Sequence, residues 1–193
     1  MEILNQYLLK NGIITVKEAE KIGIKRHTLA RLVKEKKLER VKNGIYKNID
    51  DILDEYVLVS LNNKVVFSHQ TALFLHDLND RTPNTFHITV PQGYNASHLK
   101  KLGKDLIIHY VKVDNFEMGL DTIKSPYGNT VQVYNQERTI CDILINKKNI
   151  DKQIFIAAIS KFFKHKKYNT RMLIKYSRIL GIESEVRKYM EIL

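Results

Sequence analysis

Cysteine is almost absent: Cys141 stands alone among 193 residues. A lone thiol cannot close an internal disulfide, which excludes a stapled secreted scaffold and points to a reducing, cytoplasmic setting. Long hydrophobic runs are missing as well. Apolar stretches such as residues 154–159 fall far short of the roughly 20 residues that span a bilayer, and mean hydropathy is −0.30. The opening MEILNQYLLKNG has acidic Glu2 and polar Asn5 and Gln6. It lacks the basic start and small-residue cleavage site of a signal peptide, so none is expected. There is no Pro/Gly/Ser-rich linker, no internal repeat and no low-complexity tract. A Walker loop, a GxGxxG turn and a GxSxG elbow are absent, as are HExxH, CxxC and the EF-hand loop. Each absence removes a chemistry that depends on that spacing, and no cofactor or metal is expected.

What is present is positive charge. Thirty-two Lys and Arg against 21 Asp and Glu leave +11, with a pI of about 9.6. A polyanion is the natural partner for such a surface, most often nucleic acid. The charge is not spread evenly. Residues 1–50 carry 12 bases and 6 acids, net +6, and residues 147–178 carry 10 bases and one acid, Asp151, net +9. Between them, residues 51–146 hold 8 bases and 11 acids, net −3. The plain reading of a lysine-rich segment is a solvated face. Two such segments in a small chain, one of them on a DNA-reading pattern, weigh against that reading.

In residues 1–49, Leu4, Leu8 and Leu9 share one helical face, as do Val16, Ala19 and Ile22. Asn11-Gly12 stops the first helix. Thr15 with Glu18 has capping-box spacing, and Gly23 closes the second helix with a tight turn. A third helix starts near Arg26 with Leu29, Leu32 and Val33 inward. LERVK and IYKNI around Asn43-Gly44 then read as a hairpin. Helix, helix, turn, helix, hairpin is the layout of a winged helix-turn-helix, whose third helix lies in the major groove. Its outward positions are Arg26, His27, Thr28, Arg31 and Lys34. Arg26 and Thr28 sit near the helix start, where Arg reads guanine and Thr an edge or a thymine methyl. Arg31 and Lys34 lie later and suit phosphates. Arg40, Lys42 and Lys47 surround the hairpin tip and are expected to reach the flanking backbone or minor groove.

Residues 50–193 read as an α+β domain. The pattern predicts a helix from Asp50-Asp51 to about Leu61, a strand KVVF leading into the helix SHQTALFLHDL, and the strand FHITVP (86–91). A strand over 105–113 follows, then a hairpin turning at Pro126-Tyr127-Gly128-Asn129. Helices at about 136–147, 151–164, 169–180 and 183–191 make a closing helical bundle.

Several blocks resemble the AbiEi antitoxins of type IV, abortive-infection toxin–antitoxin systems. They are the run Gly23-Ile24-Lys25-Arg26-His27-Thr28-Leu29-Ala30-Arg31-Leu32, NGIY (43–46), SHQTALFLHDL (68–78), FHITVP (86–91) and YNQERTICDIL (134–144). The resemblance runs in order along nearly the whole chain. It implies that the N-terminal domain binds inverted repeats upstream of its own operon and represses it. It also implies that the second domain antagonises a nucleotidyltransferase-like toxin without forming a stable complex with it.

No catalytic constellation accompanies these blocks. His69 and His76 share a helical face two turns apart, but a metal needs further ligands, and a packing or capping role is the simpler reading. His87 and His109 fall in strand patterns. Arg138 and Asp142, at i,i+4 beside Glu137, read as a salt bridge that organises a helix. Asp50, Asp51 and Asp54 do not have the spacing of a nucleotidyltransferase metal site, and Cys141 reads as a small core residue. In the late basic segment Lys164, Lys167, Arg171, Lys175 and Arg178 recur at spacings of 3–4. The first four are expected to lengthen the DNA-binding face. The expected protein is a non-enzymatic autorepressor and antitoxin, monomeric in solution and cooperative on operator DNA. The competing readings are a nucleic-acid-processing enzyme and a ligand-responsive regulator.

Overall fold

The computed structural model describes residues 2–102, 105–165 and 168–192, with no side-chain detail at Lys100, Lys101 and His165. The chain is mixed α/β, and its residues gather into two compact units. One comprises residues 1–59 with 124–130, the other 60–123 with 131–193.

The first unit opens with α1 (Glu2–Asn11), β1 (Ile14–Thr15), α2 (Val16–Lys21) and α3 (Arg26–Lys34). β2 (Leu38–Lys42) and β3 (Ile45–Asn48) follow, and the short α4 (Glu55–Val59) closes the continuous part. The capping box forms: Thr15 Oγ1 accepts from Glu18 N at 3.2 Å, and Glu18 Oε2 accepts from Thr15 N at 2.8 Å. α2 ends at Gly23, whose φ of +81° lets Ile24 N–H reach the Ala19 carbonyl at 2.8 Å. The hairpin becomes a three-stranded antiparallel sheet, order β1-β3-β2, because Ile14 and Thr15 pair with Tyr46 and Ile45. Leu4, Leu8, Ile14, Ala19, Leu29, Leu32, Leu38 and Tyr46 are buried together beneath these elements.

α3 ends in the same motif as α2, with Lys36 in glycine's place. Lys36 has φ +54°, Lys37 N–H bonds the Leu32 carbonyl at 2.9 Å, and Lys36 N–H bonds the Val33 carbonyl at 3.1 Å. A left-handed residue with a Cβ costs energy that glycine does not incur. Lys36→Gly is therefore expected to raise stability by about 0.5–1 kcal/mol, read as a shift of the urea midpoint at unchanged slope.

The helix expected from Asp50 to Leu61 is shorter than its pattern and starts later. Asp54 is the cap: its Oδ1 accepts from Tyr56 N at 2.9 Å and Val57 N at 3.3 Å. Residues 48–51 turn instead, because the Lys47 ammonium gathers the carbonyls of Asn48, Ile49 and Asp51 at 3.1, 3.4 and 2.6 Å. The other carboxylate oxygen of Asp54 accepts from Ser125 Oγ at 2.6 Å and Asn129 Nδ2 at 2.9 Å. These bonds hold residues 124–130 in this unit.

The second unit carries a five-stranded mixed sheet, order β6-β5-β4-β8-β7. Its strands are β4 (Val66–Phe67), β5 (Phe86–Pro91), β6 (Leu106–Val111), β7 (Leu120–Lys124) and β8 (Thr130–Tyr134). β4 pairs antiparallel with β5 and parallel with β8, and β5 pairs parallel with β6. Between them lie α5 (His69–Leu75) and the short α6 (Val113–Phe116). The chain closes with α7 (Gln136–Ile145), α8 (Lys152–His165), α9 (Thr170–Ile179) and α10 (Glu183–Ile192). α5 packs on β5 and α7, and α7 in turn meets α8, α9 and α10. The largest apolar cluster runs through these helices, from Leu73 and Ile140 to Phe162, Leu173 and Val186. Cys141 lies fully buried within it.

Candidate nucleic-acid interface

α3 has two unlike sides. Leu29 and Leu32 are 0% and 1% exposed, while Arg26, His27, Ala30, Arg31 and Lys34 face solvent and Thr28 is half-buried. Residues 27, 30, 31 and 34 recur at i, i+3, i+4 and i+7, so they form one stripe. Ala30 sits in the middle of that stripe and keeps its centre low. Ala30 has no functional group by which the sequence would single it out. Arg31 pairs with Glu35 at 3.6 Å, but both side chains are exposed and such a pair contributes little.

The hairpin presents less charge than its sequence promises. Arg40 is exposed and donates to the Asn43 side chain at the tip. Lys42 is half-buried next to a bulge where Val41 has no opposite residue. Lys47 is not at the surface: it is 5% exposed, ion-paired to Glu39 at 2.8 Å and bonded to the three carbonyls described above. Its expected place among the outward wing residues is corrected. A buried ammonium must be surrounded by acceptors, and the turn at 48–51 supplies them.

In the second unit Lys164, Arg171 and Lys175 are exposed on α8 and α9. Arg171, Lys175 and Arg178 stand at i, i+4 and i+7 on α9, opposite buried Leu173, Tyr176 and Ser177. Arg178 is bonded through Nε to Glu183 at 2.8 Å. Lys167 lies outside the described residues.

The remaining candidates are structural. Arg138 is fully buried. Its Nε donates to Asp142 at 2.9 Å, its Nη1 donates to the carbonyls of Asn115 and Met118 at 2.9 and 3.0 Å, and its guanidinium lies 4.4 Å from the centre of the Tyr134 ring. This is the expected salt bridge, with a loop wrapped onto it. Burial pushes the Asp142 carboxyl up to about 6, against the opposing pull of Arg138. His76 does not meet His69; its Nε2 bonds the Tyr134 carbonyl at 2.7 Å.

The structure instead gathers His69, His87 and His109. The His69 and His109 rings stack at 3.5 Å and 10°, and His87 Nδ1 lies 3.1 Å from His109 Nε2. His69 Nδ1 reaches Ser68 Oγ at 3.0 Å, and Ser68 Oγ also accepts from Thr89 Oγ1 at 2.8 Å. Burial depresses all three, His69 well below its ordinary value and His87 and His109 to about 4. Near-parallel rings point their lone pairs side by side rather than at one point, which is poor metal geometry. Among the described residues no group of three or more His, Cys, Asp or Glu is placed to hold a metal ion.

Residues 2–48 match the family described as "Transcriptional regulator, AbiEi antitoxin". The N-terminal segment is similar to that family over those residues. The match takes in α1–α3 and the three-stranded sheet, the elements that carry the α3 stripe, and it bears out the resemblance read in residues 23–32 and 43–46. The AbiEi family is one of regulatory antitoxins. Among solved structures, the chain is similar to the crystal structure of the RV2827C protein from Mycobacterium tuberculosis. The TM-score is 0.58 at 12% identity, over 86% of this chain and 66% of that one. The chain thus spans just under two thirds of that protein's length, and at this identity the likeness is one of fold. No curated protein matches the chain. Among the described residues no helix is long and apolar enough to cross a membrane.

Proposed function

We propose that the protein is a DNA-binding autorepressor and antitoxin of a type IV, abortive-infection toxin–antitoxin system, acting in the cytoplasm and without catalysis of its own. Residues 1–49 act as a winged helix-turn-helix, and residues 50–193 form an α+β antitoxin domain that ends in a helical bundle. The observation that carries this reading is the exposed stripe Arg26, His27, Arg31 and Lys34 over a fully buried Leu29–Leu32 underside, within the segment that matches the family. Arg26 and Thr28 read base edges. Arg31, Lys34, Arg40 and Lys42 hold phosphates. Inverted repeats upstream of the operon take two copies, each monomeric in solution and cooperative on DNA. The second domain antagonises a nucleotidyltransferase-like toxin without a stable complex.

Arg26→Ala combined with Arg31→Ala is expected to lower affinity for the upstream region by about 30-fold or more, since good base and phosphate contacts contribute about 1–3 kcal/mol each. The thermal melt and toxin neutralisation should stay as in the wild type. Loss of repression and neutralisation together, in a folded protein, overturns the division of labour.

The basic stripe of the second domain, Lys164, Arg171 and Lys175, lengthens the DNA-binding face. Each phosphate contact adds about 0.9 to the slope of log affinity against log salt. Replacing all three by glutamine is expected to flatten that slope by up to roughly 2.7, measured by fluorescence anisotropy on operator DNA. An unchanged slope means that these residues are only solvated.

A further inference from the structure

We infer that the second unit carries a binding cleft for a ribonucleoside monophosphate, lined by none of the residues of the two basic stripes. A cavity of about 500 Å³ opens in this unit, inside the roughly 300–1,000 Å³ range of small-ligand sites. β5 and β6 run parallel, with Pro91 beside Val111, so their carboxyl ends lie together. Pro91, Gln92 and Gly93 line the cleft from the first strand and Val113 from just beyond the second. β4 runs antiparallel to β5, which brings Lys64, just before β4, to the same end. Ligands of open α/β sheets sit outside the carboxyl ends of parallel strands.

The lining gives each part of a ribonucleotide a counterpart. Lys64 supplies a cation for one phosphate. Glu117 supplies a carboxylate, the group that accepts hydrogen bonds from ribose hydroxyls in dinucleotide sites. Gln92 offers the carboxamide that pairs bidentately with adenine. Tyr94 offers a ring for a base to stack on. Tyr94 is already held in place: its hydroxyl accepts from Asn62 Nδ2 at 2.9 Å and lies 3.2 Å from His98 Nε2. The His98 ring packs edge-on to it at 5.8 Å. Gly93 adopts φ +82° with open space where a Cβ would stand, so the backbone leaves the mouth clear. A lining with one lysine and one glutamate favours a monophosphate over a triphosphate.

The test uses the full chain, titrated with AMP, dAMP and adenosine and followed by amide shifts in a 15N-labelled sample. AMP is expected to move the amides of Gly93, Tyr94 and Asn95 saturably, with dAMP and adenosine weaker. Lys64→Gln should weaken AMP about tenfold, the loss of one charge-assisted contact, and bring it level with adenosine. Glu117→Gln should erase the preference for AMP over dAMP. The proposal is overturned if AMP moves only residues of α3 and α9, if residues 93–95 do not respond at all, or if Lys64→Gln leaves the affinity unchanged.

Discussion

Between pH 7 and pH 4 the second unit is expected to lose several kcal/mol of stability, and the histidine stack is the cause. His87 and His109 are held at about 4 by burial, with each other's proximity adding to it at His87. An unfolded histidine titrates near 6.5. Their folded values are depressed, so the unfolded chain binds more protons and draws the equilibrium toward itself as pH falls from about 6.5 to about 4. A depression of that size is worth about 3 kcal/mol per ring, and the two do not simply add because the rings touch. His69 deepens the effect, since burial, the other two rings and Arg138 all disfavour its charged form. Asp142 works the other way. Its carboxyl is raised to about 6, so it favours the folded state as pH falls from about 6 toward 3.8. One carboxylate offsets one of the three rings. Glu183, held at about 2 by Arg178 and Arg187, titrates below this window. Urea titrations at half-unit steps of pH give the slope. His109→Phe keeps a ring in the stack and removes a proton acceptor, so it should flatten the slope by about 1.4 kcal/mol per pH unit between 6.5 and 4. An identical slope in wild type and variant would rule out the stack as the source.

Arg138→Met is expected to cost about 3–5 kcal/mol, the penalty for stranding one partner of a buried ion pair. The Asp142 carboxylate would stay inside the helical core with its main partner gone, and its Oδ2 already has no hydrogen-bond partner among the described residues. The carbonyls of Asn115 and Met118 would lose their donor too. Arg138→Met together with Asp142→Leu should recover most of the loss, because apolar isosteres of a buried pair are often neutral. Chemical denaturation of the two single variants and the double variant gives the coupling directly. The same place resists a smaller change. Gly119 has φ +79°, and an added Cβ would stand 2.6 Å from the Cβ of Arg138. Gly119→Ala therefore collides with the backbone-proximal end of the key side chain and should destabilise by a comparable amount. If the double variant is no more stable than Arg138→Met alone, the pair is not the organising contact.

The sequence by itself determined whatever depends on neighbours along the chain. Thr15 and Glu18 form their capping box, Gly23 turns between α2 and α3, FHITVP is a strand with its predicted limits, and the last four helices fall close to their predicted ranges. Helix periodicity, capping and turns are local, and three or four residues suffice to specify them. The outward side of α3 was legible for the same reason, since Leu29 and Leu32 mark its inner side.

Only the tertiary structure decided what distant residues do to one another. Asp54 became a cap because Ser125 and Asn129, about seventy positions away, complete its hydrogen bonds. The helix expected from Asp50 was shortened accordingly. Lys47 reads as a wing cation, yet the turn it must support draws it inside. His69, His87 and His109 lie on three separate elements, and no spacing in the chain relates them. The strand order β6-β5-β4 brings β5, β6 and the start of α5 together, because which strands become neighbours is decided by packing across the sheet and not by one strand's own pattern. Burial then keeps all three rings neutral, where composition alone would have counted them as ordinary histidines.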